Sequence, residues 1–303
     1  MPNAIYVKHL SFKYKNNSFY SLSDISLTIK ANKCTGIIGP NGAGKSTFIS
    51  ALCGLLPSFE GQVFYDENQI QPLIESVKEK VALVPQEYAF YPQLSVKQNL
   101  YYFLSLCVES KKRKEDKHAF ISEILEQCVL THVSHIKVSK LSGGYKRRLN
   151  IAIALVKQPK VLFLDEPTVG IDPESRAIII TLLEQFKAEG KTLLFTSHML
   201  DEVEKVCDDI IILKDGKASL IEQTQQKNLL LSVEFEQEPS STNFLSGYQK
   251  IAACKYQLLL TSPEELNSHL LQLSQLKVSI KNIHYSANSV EHMYKQETTG
   301  NKL

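Results

Sequence analysis

The segment Gly39-Pro40-Asn41-Gly42-Ala43-Gly44-Lys45-Ser46-Thr47 sets three glycines, a lysine and two hydroxyl residues in the spacing GxxxxGKS. Such a loop can turn several backbone N–H groups onto one anion, because no Cβ obstructs the approach. The apolar run Gly36-Ile37-Ile38 precedes it, and Phe48, Ile49, Leu52, Leu55 and Leu56 follow at helical spacing from Ser46 to Leu56. The N-terminus of that helix adds partial positive charge at the loop. Lys45 is expected to place an ammonium on the β- and γ-phosphates of a nucleoside triphosphate. Ser46 is expected to ligate the Mg²⁺ that travels with it.

Val161-Leu162-Phe163-Leu164 is an apolar run that ends in the adjacent carboxylates Asp165 and Glu166, followed by Pro167. Strand C-termini of a parallel sheet face the ligand crevice. Asp165 would then approach Mg²⁺, directly or through water, while Glu166 would accept a proton from the water attacking the γ-phosphate or polarise that water. Leu141-Ser142-Gly143-Gly144, ahead of Tyr145-Lys146-Arg147-Arg148, again joins small residues to a helix start and forms a second potential anion site. Two phosphate surfaces on one chain are redundant if both serve one nucleotide. They make sense if the second serves a nucleotide held by another subunit.

The elements that must position these groups can be read from periodicity. Ala4 to Leu10 and Tyr20 to Ile29 suggest an antiparallel hairpin, and short strands are expected near Gln62 to Tyr65 and at Val81 to Val84. From about Tyr88 to Lys140 the pattern turns helical, with Ser95 and Gln98 as a capping pair. The charged run Lys111 to Lys117 reads as a solvated loop before a second helix near His118 to Cys128. A helix over Ser142 to Lys157 leads into the strand Val161 to Leu164, and strands recur at Lys191 to Thr196 and Asp209 to Leu213. Strands alternating with helices imply a largely parallel sheet covered on both faces. The polar stretch Glu222 to Asn228 is taken as a domain boundary. Beyond it lie expected strands near Leu229 to Phe235, Ile251 to Leu260 and Val278 to His284, a helix from Pro263 to Leu276 and a terminal helix after Ser289.

Bulk composition narrows the classes. With 303 residues, 43% hydrophobic and 22% charged, the chain matches globular proteins and is long enough for two domains. A net charge of +2 gives no reason to expect a nucleic-acid partner. The cysteines at 34, 53, 107, 128, 207 and 254 form no CxxC pair, which argues for reduced thiols in the cytosol. Met1-Pro2-Asn3-Ala4 lacks the features of a signal peptide, and no run reaches the roughly 18 apolar residues that span a bilayer.

Over roughly residues 4 to 220 the chain resembles the ATP-binding subunits of ABC transporters, with Leu141 to Gly144 matching the family signature. The resemblance implies an α/β fold: a P-loop NTPase cassette over 1–221, with a mostly parallel sheet, an antiparallel β portion and a helical subdomain at about 88–140. A small C-terminal accessory α/β domain over 222–303 follows. It also implies that two cassettes, as homodimer or heterodimer, pair head to tail. Each ATP then lies between the phosphate loop of one (Gly39, Pro40, Asn41, Gly42, Ala43, Gly44, Lys45, Ser46 and Thr47) and the signature of the other (Leu141, Ser142, Gly143 and Gly144).

Further positions match one at a time. Tyr14 resembles the aromatic that stacks on adenine. Gln86 resembles the glutamine that contacts Mg²⁺ and the attacking water and couples to the membrane partner, so Ser46, Gln86 and Asp165 form the implied metal set. Asp172, in Gly170-Ile171-Asp172, resembles the loop that communicates across the dimer. His198, in Thr196-Ser197-His198, matches the switch histidine that contacts the γ-phosphate and joins Glu166 and Gln86 as implied catalytic groups. Tyr145 departs from the usual glutamine and Gln98 from a frequent glutamate. The tail Ser289 to Lys295 with Thr298-Thr299-Gly300 resembles the ending of ATPases serving type-2 ABC exporters of drugs, antibiotics, bacteriocins or sodium. The implied protein is a cytoplasmic ATPase held at the inner face of the membrane by a separate permease. The alternative is a soluble ABC ATPase acting in assembly or regulation without transport.

Overall fold

Ile5–Phe12 (β1) and Leu22–Ile29 (β2) each turn apolar residues into the core, with Ile5, Val7, Leu10, Leu22, Ile25 and Ile29 buried and strict alternation broken where the β1–β2 register shifts. The computed structural model describes residues 5–15, 17–66, 68–69, 75–107, 114–222, 229–239, 247–260, 263–274 and 278–287. β1 and β2 pair antiparallel, and Glu60–Tyr65 (β4) pairs antiparallel with the other edge of β1. With the two-residue strand Asn68–Gln69 (β5), they form a four-stranded sheet in the order β2-β1-β4-β5.

A second sheet is built around strands that are mostly apolar. Cys34–Ile38 (β3), Val161–Leu164 (β7) and Thr192–Thr196 (β8) are buried at every position, as expected of strands covered on both faces. Val81–Val84 (β6), Asp209–Lys214 (β9) and Lys217–Glu222 (β10) complete the six-stranded order β10-β9-β3-β8-β7-β6. The pairs β9/β3, β3/β8, β8/β7 and β7/β6 are all parallel.

Helices cover this sheet. Lys45–Leu52 (α1) buries Phe48, Ile49 and Leu52 in the same core as Ile5, Leu22, Phe163 and Leu194, so one apolar cluster joins both sheets. α1 stops at Leu52, one turn short of the expected Leu56, where Cys53 closes it and Gly54 takes a left-handed φ of 67°. Glu75–Lys78 (α2) precedes β6. Val96–Leu106 (α3) starts with the full capping box that Ser95 and Gln98 suggest. Lys114–Gln127 (α4) begins inside the charged run that sequence patterning assigns to a loop; Lys and Glu are good helix formers, so polarity alone misplaces the start. Gly143–Leu155 (α5), Pro173–Ala188 (α6) and Leu200–Val206 (α7) follow. Among the described residues no helix is long and apolar enough to cross a membrane.

The chain divides into two compact units, Met1–Ile221 and Glu222–Leu303. In the second, Leu229–Phe235 (β11), Gln249–Ala252 (β12), Lys255–Leu260 (β13) and Ile280–Ala287 (β14) form a sheet in the order β12-β13-β11-β14. Its core holds Leu231, Val233, Phe235, Tyr256, Leu258 and Leu260, together with Leu273 of the helix Pro263–Ser274 (α8). The single strand expected over Ile251 to Leu260 is instead a hairpin, reversed at Cys254 with a left-handed φ of 58°. The terminal helix expected after Ser289 lies outside the described residues.

Candidate functional site

Parallel register delivers the chemical residues to one edge. Ile37 pairs with Thr196, Leu164 with Phe195 and Val84 with Leu164. The C-terminal ends of β3, β8, β7 and β6 therefore lie side by side. The segments leaving them carry Gly39–Thr47, His198, Asp165 with Glu166, and Gln86. This edge is where a parallel α/β sheet leaves room for a ligand.

Gly44 caps α1 at φ 103°, and a Cβ there would come within 2.4 Å of the Ser21 carbonyl oxygen, so the loop can pass only as glycine. Lys45 is buried, and its Nζ donates to the carbonyl oxygens of Gly39 at 2.9 Å and Pro40 at 3.1 Å. Burial lowers its pKa, opposed by the negative charges of Glu166 and then Asp165. Its ammonium is thus wrapped by its own loop and faces two carboxylates, an arrangement that a phosphate anion would complete. Ser46 is exposed on the first turn of α1. Tyr14 is also exposed; its hydroxyl lies 3.3 Å from Thr47 Oγ1 and its ring meets Phe12 edge-on, which sets an aromatic face beside the loop.

The carboxylates are tightly organised. Thr196 Oγ1 donates to Asp165 Oδ1 at 2.7 Å and accepts the backbone N–H of Glu166 at 2.7 Å. Glu166 sits in the left-handed region at φ 49°. Gln86 Nε2 donates to Glu166 Oε2 at 2.8 Å, and His198 Nε2 contacts Glu166 Oε1. Gln86, Asp165, Glu166, Thr196 and His198 thus form one connected group. Among the described residues no cluster of three or more His, Cys, Asp and Glu forms a metal cage. The Ser46 hydroxyl, the Gln86 amide oxygen and Asp165 are hard oxygen donors with one carboxylate among them. That set fits Mg²⁺, which takes one or two carboxylates and fills its remaining positions with phosphate and water.

The second small-residue segment joins the same structure from below. Arg147, buried on α5, donates to the carbonyl oxygens of Gln86 at 2.8 Å and Pro85 at 3.3 Å, and lies over the Tyr88 ring. Burial lowers its pKa, against the opposing pull of Tyr88, Glu166 and Asp165. Asn150 Nδ2 donates to Pro85 O at 3.1 Å, and its Oδ1 accepts from Ala89 N at 3.0 Å. The helix that opens at Gly143 therefore clamps the Gln86 loop. Ser142 is exposed and makes no side-chain cap to α5. Leu141 is buried. A Cβ on Gly144 would lie 1.9 Å from Ser175 Oγ on α6. Asp172 caps that helix by accepting from Ser175 N at 2.8 Å, the bond that chiefly holds its carboxyl below the usual range.

Two residues with structural leverage, Arg147 and Asn150, were not singled out from sequence, and Glu202 was read only as part of the stretch after His198. Arg147 and Asn150 carry no pattern beyond helix membership. Glu202, which is buried, accepts from Thr168 Oγ1 at 2.8 Å and Ser197 Oγ at 2.6 Å, with Arg176 Nε 3.4 Å away. A carboxylate a few residues past a histidine-bearing turn was the available signal.

Comparison with known proteins agrees with this geometry. The family model described as ABC transporter matches residues 22–169. The linearmycin resistance ATP-binding protein LnrL of Bacillus subtilis (strain 168) is 41% identical over 197 residues, covering 64% of this chain and 61% of the relative. A Nod factor export ATP-binding protein I of Burkholderia lata is 36% identical over 196 residues, covering 65% and 64%. The chain thus spans less than two thirds of the length of these relatives. Among solved structures, a dimeric ATP-binding cassette in a post-hydrolysis state with ADP and Pi superposes with a TM-score of 0.66 at 27% identity, covering 72% of this chain and 98% of the other. A Clostridium perfringens cbiO1 structure, part of the cbiONQ ABC transporter complex, gives a TM-score of 0.67 at 28% identity, covering 74% and 90%. The fold is a P-loop ABC cassette with mixed α/β sheets. Residues 22–169 are thus similar to the ATP-binding domains of ABC transporters.

Proposed function

We propose that this chain is an ATP-hydrolysing subunit that powers export through a separate membrane permease, working as a dimer of cassettes. The observation that carries the reading is the convergence of Lys45, Gln86, Asp165, Glu166 and His198 on one sheet edge. The backbone of Gly39–Gly44 and Lys45 bind the phosphates, and Tyr14 stacks on the base. Ser46, Gln86 and Asp165 hold Mg²⁺, which when bound neutralises charge on the β- and γ-phosphates. Glu166 takes the proton of the attacking water, oriented by its contacts with Gln86 and His198.

The exposed Ser142 and the adjoining Gly143 and Gly144 serve the nucleotide of the partner cassette, and Asp172 lies beside them at the same interface. The chain works at the inner face of the membrane, docked through the helical subdomain at about 88–140. Export is supported by the name of the Nod factor export relative and by the resemblance of the tail after Ser289. Residues 222–303 act as an accessory domain. The test is phosphate release from MgATP by the purified chain and by Glu166→Gln. The expected result is turnover in the first, lowered by about 100-fold or more in the second, with ATP binding kept. Equal turnover would remove Glu166 from this role.

A further inference from the structure

Thr196 is fully buried and opens the stretch Thr196-Ser197-His198 with no role assigned to it there, yet its hydroxyl stands at the centre of the site. A threonine hydroxyl has one donor and two acceptor positions. Here the donor is spent on Asp165 Oδ1 and one acceptor position on the N–H of Glu166, both at 2.7 Å. Glu166 is also held at φ 49°, a conformation that a non-glycine residue keeps only where its surroundings enforce it. The same residue ends β8, two positions before His198, and pairs with Ile37 on the strand that leads into the phosphate loop.

We propose that Thr196 is a positioning residue for hydrolysis: its one hydroxyl sets the metal-facing carboxylate and the backbone of the water-activating glutamate relative to each other. The inference rests on the reading of this edge as an MgATP hydrolase. The buried Thr196 hydroxyl is committed to Asp165 and to the Glu166 N–H, so its loss should leave nucleotide binding alone and act on turnover. Without the hydroxyl, Asp165 Oδ1 loses its donor and the buried Glu166 N–H loses its acceptor.

The test is Thr196→Val, which keeps the branched shape, beside Thr196→Ser, which keeps the hydroxyl, with the unmodified chain and Glu166→Gln in the same assay. Expected for Thr196→Val is a fall in kcat of about 10- to 100-fold, with KM for ATP within about twofold. A higher Mg²⁺ concentration should be needed for half-maximal rate, and Thr196→Ser should recover most of kcat. A Val variant with wild-type kcat and Mg²⁺ dependence, whatever its thermal stability, would overturn the inference. If the Val variant does not fold, Thr196→Ala is measured in the same way, and wild-type kcat and Mg²⁺ dependence in it would overturn the inference equally. Loss of turnover in Glu166→Gln with none in Thr196→Val removes only the role of Thr196. Equal turnover in Glu166→Gln and the unmodified chain removes the hydrolytic reading and this inference with it.

Discussion

At the scale of single residues, Lys45 states the problem the site solves. A buried ammonium is costly unless it is hydrogen-bonded and faces opposite charge, and here two loop carbonyls and two carboxylates supply that in part. A triphosphate would supply the rest. Lys45→Ala is therefore expected to weaken ATP binding by roughly 10- to 100-fold, the worth of a charge-assisted contact. Calorimetric titration checks this, and an unchanged affinity would contradict the assignment. Lys45, Asp165 and Glu166 were singled out in the sequence by residue type and spacing and Gln86 by the family resemblance, and the fold brings the four to one sheet edge. Thr196 and Arg147 were not singled out, because many threonines and arginines carry the same local pattern. Only strand register brings Thr196 between the carboxylates, and only helix packing brings Arg147 beneath Gln86.

At the scale of elements, the contact between α5 and α6 is the tightest constraint near the signature. Gly144→Ala would drive its Cβ to 2.4 Å from Ser175 Cβ. Overpacking of this kind costs about 1–3 kcal/mol. A lower melting temperature is expected, and adding Ser175→Gly should recover part of it. A single variant as stable as the parent would contradict the packing described.

In the second unit, Glu238 bonds to Lys250 Nζ, to the Tyr256 hydroxyl and to Cys254 N, which hold its pKa near about 2 against an ordinary 4.5. Its folded value lies below its unfolded one, so the stabilisation is complete above pH 4.5 and is lost as pH falls toward 2. Glu238→Gln should flatten the acid limb of unfolding in that window, followed by tyrosine circular dichroism; an unaltered limb would refute the linkage. The parallel strands were readable as unbroken apolar runs. The β12–β13 hairpin was not, because its turn uses Cys254 at positive φ and carries none of the Gly, Asn or Pro signals that mark reversals.

At the scale of the whole molecule, the proposed function makes the phosphate loop half of a pocket. Ser142 and Gly143 open α5, while Lys45 opens α1, and the reading requires that each meet a nucleotide from a different chain. Trapping should make that visible. On that reading Glu166→Gln keeps the nucleotide-binding loop and slows hydrolysis, so bound ATP should hold two chains together. The direct measurement is light scattering of Glu166→Gln with saturating MgATP, with ADP as the comparison. The account predicts a mass twice that of the 34.2-kDa chain with ATP and the single-chain mass with ADP. A single-chain mass at saturating ATP, with binding verified by calorimetry, would contradict it.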